Sequence, residues 1–168
     1  YFYSPSGFVV GSSAVINVGS LVLSASPIAV DGSGNFLQGT TATFGQALNP
    51  NAAIVTNANS QINALNEGSY VALVAPRVEH HGSIAVNGAA ALVGAEAATI
   101  NFRAGGLFDI EVDVGTTDAN GVEVDGTITG PASTGLGDNH RAYLVAVPKN
   151  TALTLLIGSG ADLGFDIA

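Results

Sequence analysis

Cysteine, methionine and tryptophan are absent from the 168 residues. Without cysteine there can be no disulfide, no thiolate metal site and no cysteine nucleophile. Basic side chains are scarce too, with Lys plus Arg at 4 against Asp plus Glu at 13. The resulting net charge of -9 repels phosphate backbones, which proteins grip with clustered basic groups, so nucleic acid is excluded as a partner. The same scarcity removes polybasic attraction to anionic lipid. No apolar run approaches the roughly 18 to 20 residues of a membrane-spanning helix, and no charged segment precedes a signal-like apolar stretch. The expectation is a soluble chain, mature or trimmed, with no membrane insertion.

What is present is apolar and glycine-rich. Hydrophobic residues make up 47% and charged residues 10%, a balance that favours a folded core over disorder, and the length suits one domain spanning residues 1–168. The 22 glycines, with many Asn, Ser and Thr residues, break the sequence into short apolar runs, as in a protein built of many short strands. Apolar positions alternate at Val71, Leu73 and Ala75, and again at Phe108, Ile110, Val112 and Val114 between Asp109, Glu111 and Asp113. A period of two marks strands with one face inward. The Ala-rich stretch 89–98 favours helix by propensity, but Gly88 and Gly94 argue for strand. Turn-forming residues crowd 31–50 and 131–139, which are expected to be outward loops.

The chain also resembles itself. Ser69 to Pro76 is echoed by Ala89 to Glu96 at an offset of 20, and Ile62 by Ile84 at 22. Val78, Gly82 and Ile84 return as Val122, Gly126 and Ile128 at 44, read as two turns of 22. Tyr143 to Pro148 resembles Val71 to Pro76. Self-similarity at a fixed period signals stacked units that cannot bury a core singly. The expected fold is all-β, a right-handed parallel β-helix of about eight rungs with outward loops.

Two stretches carry a family resemblance. The opening run from Tyr3 to Ser26 passes through Ser4-Pro5-Ser6-Gly7, an apolar pair and Asn17-Val18-Gly19-Ser20-Leu21-Val22. Downstream come Phe36 to Gly39, Tyr70 to Pro76, Val78 to Gly82 with Ile84, and Gly106 to Val114. In this order the fragments resemble the filamentous haemagglutinin family of two-partner-secretion exoproteins, over about residues 1–114. Ser-Pro-Ser stands where that family carries Asn-Pro-Asn, and the segment that precedes this motif in the family, with its cap, is missing, so the chain is expected to begin within a β-helix. The resemblance implies export from a Gram-negative cell through an outer-membrane two-partner-secretion transporter. Localisation would be secreted or cell-surface, with action as an adhesin on a cell-surface or glycan receptor.

Candidate chemistry is thin. Glu79-His80-His81 is the densest titratable group, and two imidazoles could contribute to a metal site. Neighbours on a strand point to opposite faces, so a surface loop is the simpler reading; His140-Arg141 reads as a loop end. Asp109, Glu111, Asp113, Glu123 and Asp125 offer carboxylate oxygens of the kind calcium takes, weighed against a solvated acidic face that keeps strands apart. No other cofactor is implied. A glycosidase needs paired carboxylates across a cleft, and a lyase needs cationic support, yet Arg77, Arg103, Arg141 and Lys149 are scattered. Gly-x-Ser-x-Gly and phosphate-loop motifs are missing. No catalytic residue is assigned, and the chain is read as a non-enzyme.

Three functions compete: a structural and adhesive exoprotein, a filament subunit whose partner is another copy joined head-to-tail or laterally, and a polysaccharide-active enzyme. The strand alternation itself is testable. Val112→Asp should unfold or badly destabilise the chain, since a buried unpaired charge is costly, while Asp113→Asn should be mild; circular dichroism melts showing equal effects would contradict the inward and outward assignment.

Overall fold

A computed structural model describes residues 1–30, 40–103, 107–135, 138–150 and 155–167. Among these the secondary structure is all strand, without helix. In chain order the first strands are β1 (Phe2–Tyr3), β2 (Gly7–Val10), β3 (Val15–Asn17), β4 (Leu21–Ser24), β5 (Thr41–Phe44), β6 (Ala53–Thr56), β7 (Gln61–Ala75) and β8 (Arg77–His80). There follow β9 (Ser83–Phe102), β10 (Phe108–Gly115), β11 (Val122–Val124), β12 (Thr127–Pro131), β13 (Arg141–Ala146), β14 (Leu155–Ile157) and β15 (Asp162–Ile167).

The strands gather into two sheets. A five-stranded sheet runs β14-β11-β8-β6-β2, parallel throughout. A ten-stranded sheet runs β1-β4-β7-β9-β12-β15, with β3 on β7 and β13 on β9. Its one departure from parallel pairing is an arm in which β5 and β10 both pair antiparallel with the second half of β9.

Like residues stack on like. Ile16, Ile62, Ile84, Ile128 and Leu163 form one column across the large sheet. Leu23, Leu73, Leu92 and Leu144 form another. Asn63 donates its side-chain amide to Asn17 Oδ1 at 2.9 Å on the wet face of a neighbouring column.

These columns overturn the expected eight-rung right-handed β-helix. The 44-residue offset is a single step, because Val122 pairs directly with Val78 and Ile128 with Ile84. The isoleucine column is five strands deep and its residue numbers advance unevenly, so the chain has no constant repeat of 20 to 22. The surplus residues build the antiparallel arm: the chain between Ile16 and Ile62 carries β5, and that between Ile84 and Ile128 carries β10. The architecture is therefore two mainly parallel sheets with an antiparallel arm.

Two further expectations are corrected. The echo between β7 and β9 pairs Leu73 with Leu92 and Ser69 with Gly88, one residue short of the offset read from sequence. A one-residue slip exchanges the two faces of a strand, and only the observed register sets Leu on Leu and Val74 on Val93. The expected loop at 31–50 contains strand β5, whose Ala42 and Phe44 are buried. Residues 31–39, including the Phe36 to Gly39 turn, and residues 136–137 of the second loop lie outside the described residues.

The core lies on both faces of the large sheet. Between the sheets pack Leu21, Leu23, Ile62, Val71, Leu73, Ile84, Leu92, Val78, Val122 and Ile128. On the outer face, Val22, Ala72, Val74, Ala91, Val93 and Ala95 pack under Phe44, Ala98, Ile100 and Phe108 of the arm. Strands buried on both faces read as continuous apolar runs rather than alternations, which explains the Ala-rich stretch: it is strand, as its glycines suggest. Gly94 is required by contact, because a Cβ there would lie 2.4 Å from the Gly121 carbonyl oxygen. β10 alternates as read, with Asp109, Glu111 and Asp113 exposed and Val112 half-buried against the outer core.

Leu92→Ala should cost about 2–5 kcal/mol, since the side chain is fully enclosed and its cavity cannot close. Val9→Ala, on the outermost strand of the small sheet and 73% exposed, should change stability by less than about 0.5 kcal/mol. Urea denaturation of the two variants checks the contrast.

Candidate functional site

The histidine pair is divided by the strand that carries it. In β8 the side chains of Val78 and His80 point into the core, while Arg77 and Glu79 point out. His80 is fully buried between Thr56 and Val124 on the neighbouring strands. Its Nε2 lies 2.9 Å from the Thr127 carbonyl oxygen and its Nδ1 2.6 Å from Thr56 Oγ1. A carbonyl only accepts, so Nε2 carries the hydrogen, and Nδ1 accepts from the threonine hydroxyl. The ring is a neutral, satisfied core group. Burial holds its pKa below the ordinary 6.5, the bond to Thr127 pulls the other way, and the neighbouring His81 adds to the lowering. The surface-loop reading of Glu79-His80-His81 is thus corrected for His80. Outside, Glu79 pairs with Arg77 at 3.2 Å and with His81 at 3.9 Å.

The five carboxylates weighed as calcium ligands do not meet. Asp109, Glu111 and Asp113 lie on β10 in the large sheet, whereas Glu123 lies on β11 in the small sheet, with Asp125 just beyond it. Asp109 pairs with Arg103. Asp113 accepts from Thr99 Oγ1 at 3.3 Å, and Asp125 Oδ1 from the Gly160 backbone N–H at 2.6 Å. Glu123 stands in register beside Glu79. Among the described residues, no group of three or more His, Asp or Glu side chains is placed to hold a metal ion.

His140 and Arg141 stand at the start of β13 with opposite fates. Arg141 is exposed, while His140 is buried against the Phe165 ring. His140 Nδ1 lies 2.5 Å from the Pro131 carbonyl oxygen, and Nε2 lies 2.9 Å from Asp138 Oδ1, though not aligned to donate to it. Asp138 accepts from the backbone N–H and the hydroxyl of Thr134, at 2.7 and 2.8 Å. Those two bonds, and the adjacent imidazole, hold its carboxyl below the usual range.

A further polar constellation centres on Glu96, a buried carboxylate with exposed partners, which sequence reasoning did not single out. This carboxylate is 3% exposed, in the middle of β9. Its Oε2 accepts from Gln46 Nε2 at 2.5 Å and from Lys149 Nζ at 3.2 Å, and its Oε1 lies 3.4 Å from Thr117 Oγ1. Its backbone carbonyl accepts from the Ala47 N–H and from Ser26 Oγ. The signal was available: Glu96 is the one charged residue in the run from Ala89 to Ile100. A lone acid in a strand buried on both faces must find partners, and the chain brings it three from separate segments.

Acid should loosen the fold in two steps. His80 has a lowered folded pKa, so the unfolded state takes up protons first, and stability declines as pH falls below about 6.5. Asp138, also lowered, withdraws its contribution only as pH falls below about 3.8 and through its folded value. In urea melts across pH, His80→Gln should flatten the upper step and leave the lower one; an unchanged upper step would contradict the assignment.

No protein-family model matches this chain, and no curated protein matches it. The resemblance to filamentous haemagglutinin exoproteins stands on the quoted motifs alone.

Proposed function

We propose that this chain is a structural and adhesive exoprotein that acts through its surface rather than by catalysis, exported from a Gram-negative cell through an outer-membrane two-partner-secretion transporter. The observation that carries this reading is how the buried polar chemistry is used. His80 is held between a hydroxyl and a carbonyl, and Glu96 among an amide, an ammonium and a hydroxyl. These groups tie strands and loops together, which is work suited to a rigid scaffold. The motif resemblance supports the export route, and the receptor class it implies is a cell-surface or glycan group.

A second reading, a filament subunit, is favoured by the outermost strands. Val9 and Val15 on β2 and β3, and Leu156 and Ile157 on β14, are exposed apolar residues on strands that lack a partner on one side within the described chain. Edge strands normally carry charge or proline to discourage pairing, and a head-to-tail contact that does not close gives a fibre.

Labelled chain should bind intact cell surfaces saturably and leave neutral and acidic polysaccharides uncut. Release of reducing or unsaturated ends would replace the adhesive reading with the enzymatic one, and failure to bind any surface would remove it. Electron micrographs separate the second reading: filaments support it, and a strict monomer at all concentrations and salts contradicts it.

A further inference from the structure

The Glu96 constellation holds a nucleophile and an electrophile on one oxygen. A carboxylate can only accept, so Gln46 must present its amide nitrogen and Lys149 its ammonium to Oε2. Backbone bonds anchor the segment beside each group, and the exposed side chains of Gln46 and Lys149 reach from there to the carboxylate. The Ala47 N–H donates to the Glu96 carbonyl at 2.8 Å, fixing the segment that carries Gln46. The Lys149 N–H donates to the Thr116 carbonyl at 2.8 Å, and the Thr116 N–H to the Val147 carbonyl at 2.9 Å, fixing the segment that carries Lys149. Holding reactants in place in this way replaces a bimolecular encounter with an intramolecular one.

We propose that Lys149 and Gln46 become joined by an intramolecular amide bond, with Glu96 as the proton-transfer group. Glu96 takes a proton from the Lys149 ammonium, leaving a neutral amine and a carboxylic acid. The amine nitrogen attacks Cδ of Gln46, forming the Nζ–Cδ bond. As the tetrahedral adduct collapses, the Cδ–Nε2 bond breaks, Glu96 returns its proton to the departing nitrogen, and ammonia leaves. The remaining amine proton goes to that ammonia, giving ammonium and an ionised Glu96. Atoms and charges balance, and no oxidant or further reactant is needed. Thr117 bonds to the other oxygen, Oε1, and serves to orient the carboxylate. The link would fasten the segment after β5 to the segment after β13, clamping the antiparallel arm over the outer core. It stands independently of the adhesive reading.

Intact-mass spectrometry of the full chain, purified and aged at neutral pH, tests this directly. The expected mass lies about 17 Da below that of the sequence, the ammonia lost when an amine displaces an amide nitrogen. Digestion should yield one cross-linked pair of peptides containing Gln46 and Lys149. Lys149→Arg, which keeps a cation beside Glu96 but removes the nucleophile, should show the full sequence mass. The proposal is overturned if aged wild-type chain keeps its full mass, or if Lys149→Arg still loses ammonia. It is equally overturned if the loss maps to Thr117 or to cyclisation at Asn87-Gly88 or Asn120-Gly121.

Discussion

β9 has backbone partners on both edges and apolar packing on both faces. Parallel β7, β12 and β13 flank its first half and antiparallel β5 and β10 its second. Its side chains alternate between two cores, Leu92 facing the small sheet and Val93 the arm. A strand in that position can carry almost nothing polar, because each unpaired group would forfeit its hydration. It must also be narrow where layers approach closely, hence alanine and glycine in place of larger β-branched residues. Five strands of the large sheet, β5, β7, β10, β12 and β13, pair with it directly, and β1, β3, β4 and β15 attach through those or through one another.

The same constraint explains how the few polar groups inside are treated. Glu96 is tolerated in β9 because three segments supply donors to its two oxygens. His80, in the small sheet, is tolerated because it is neutral and bonded at both nitrogens. Charge is otherwise kept away from the first strands: among residues 1–66 the only Asp, Glu, Lys or Arg is Asp31. Columns of Ile on Ile and Leu on Leu then need only shape to hold register, and a slipped strand would bury the wrong face.

Much of this was legible in the sequence. The alternation in β10, the strand character of the Ala-rich stretch and the pair Ile62 with Ile84 follow from spacing and composition. What was not legible depends on where chain length is spent. An offset of 44 can be two short steps or one long one, and only the pairing of Val122 directly on Val78 decides. β5 was hidden because turn-forming residues surround Thr41 to Phe44, while its burial comes from an arm built elsewhere in the chain. His80 was misread because a polar residue on an inward column looks like a loop residue until its threonine partners, distant in sequence, are in place. The dispersal of the acidic residues over two sheets likewise follows from topology and not from spacing.

β9 is the doubly buried spine of the fold, and amide hydrogen exchange resolved along the chain tests this most directly. Amides are protected in proportion to the free energy needed to open them. Residues 89–98 should exchange slowest of all, near the rate set by global unfolding, while β2 and β14 exchange orders of magnitude faster. Exchange in residues 89–98 as fast as in those outer strands would contradict the account.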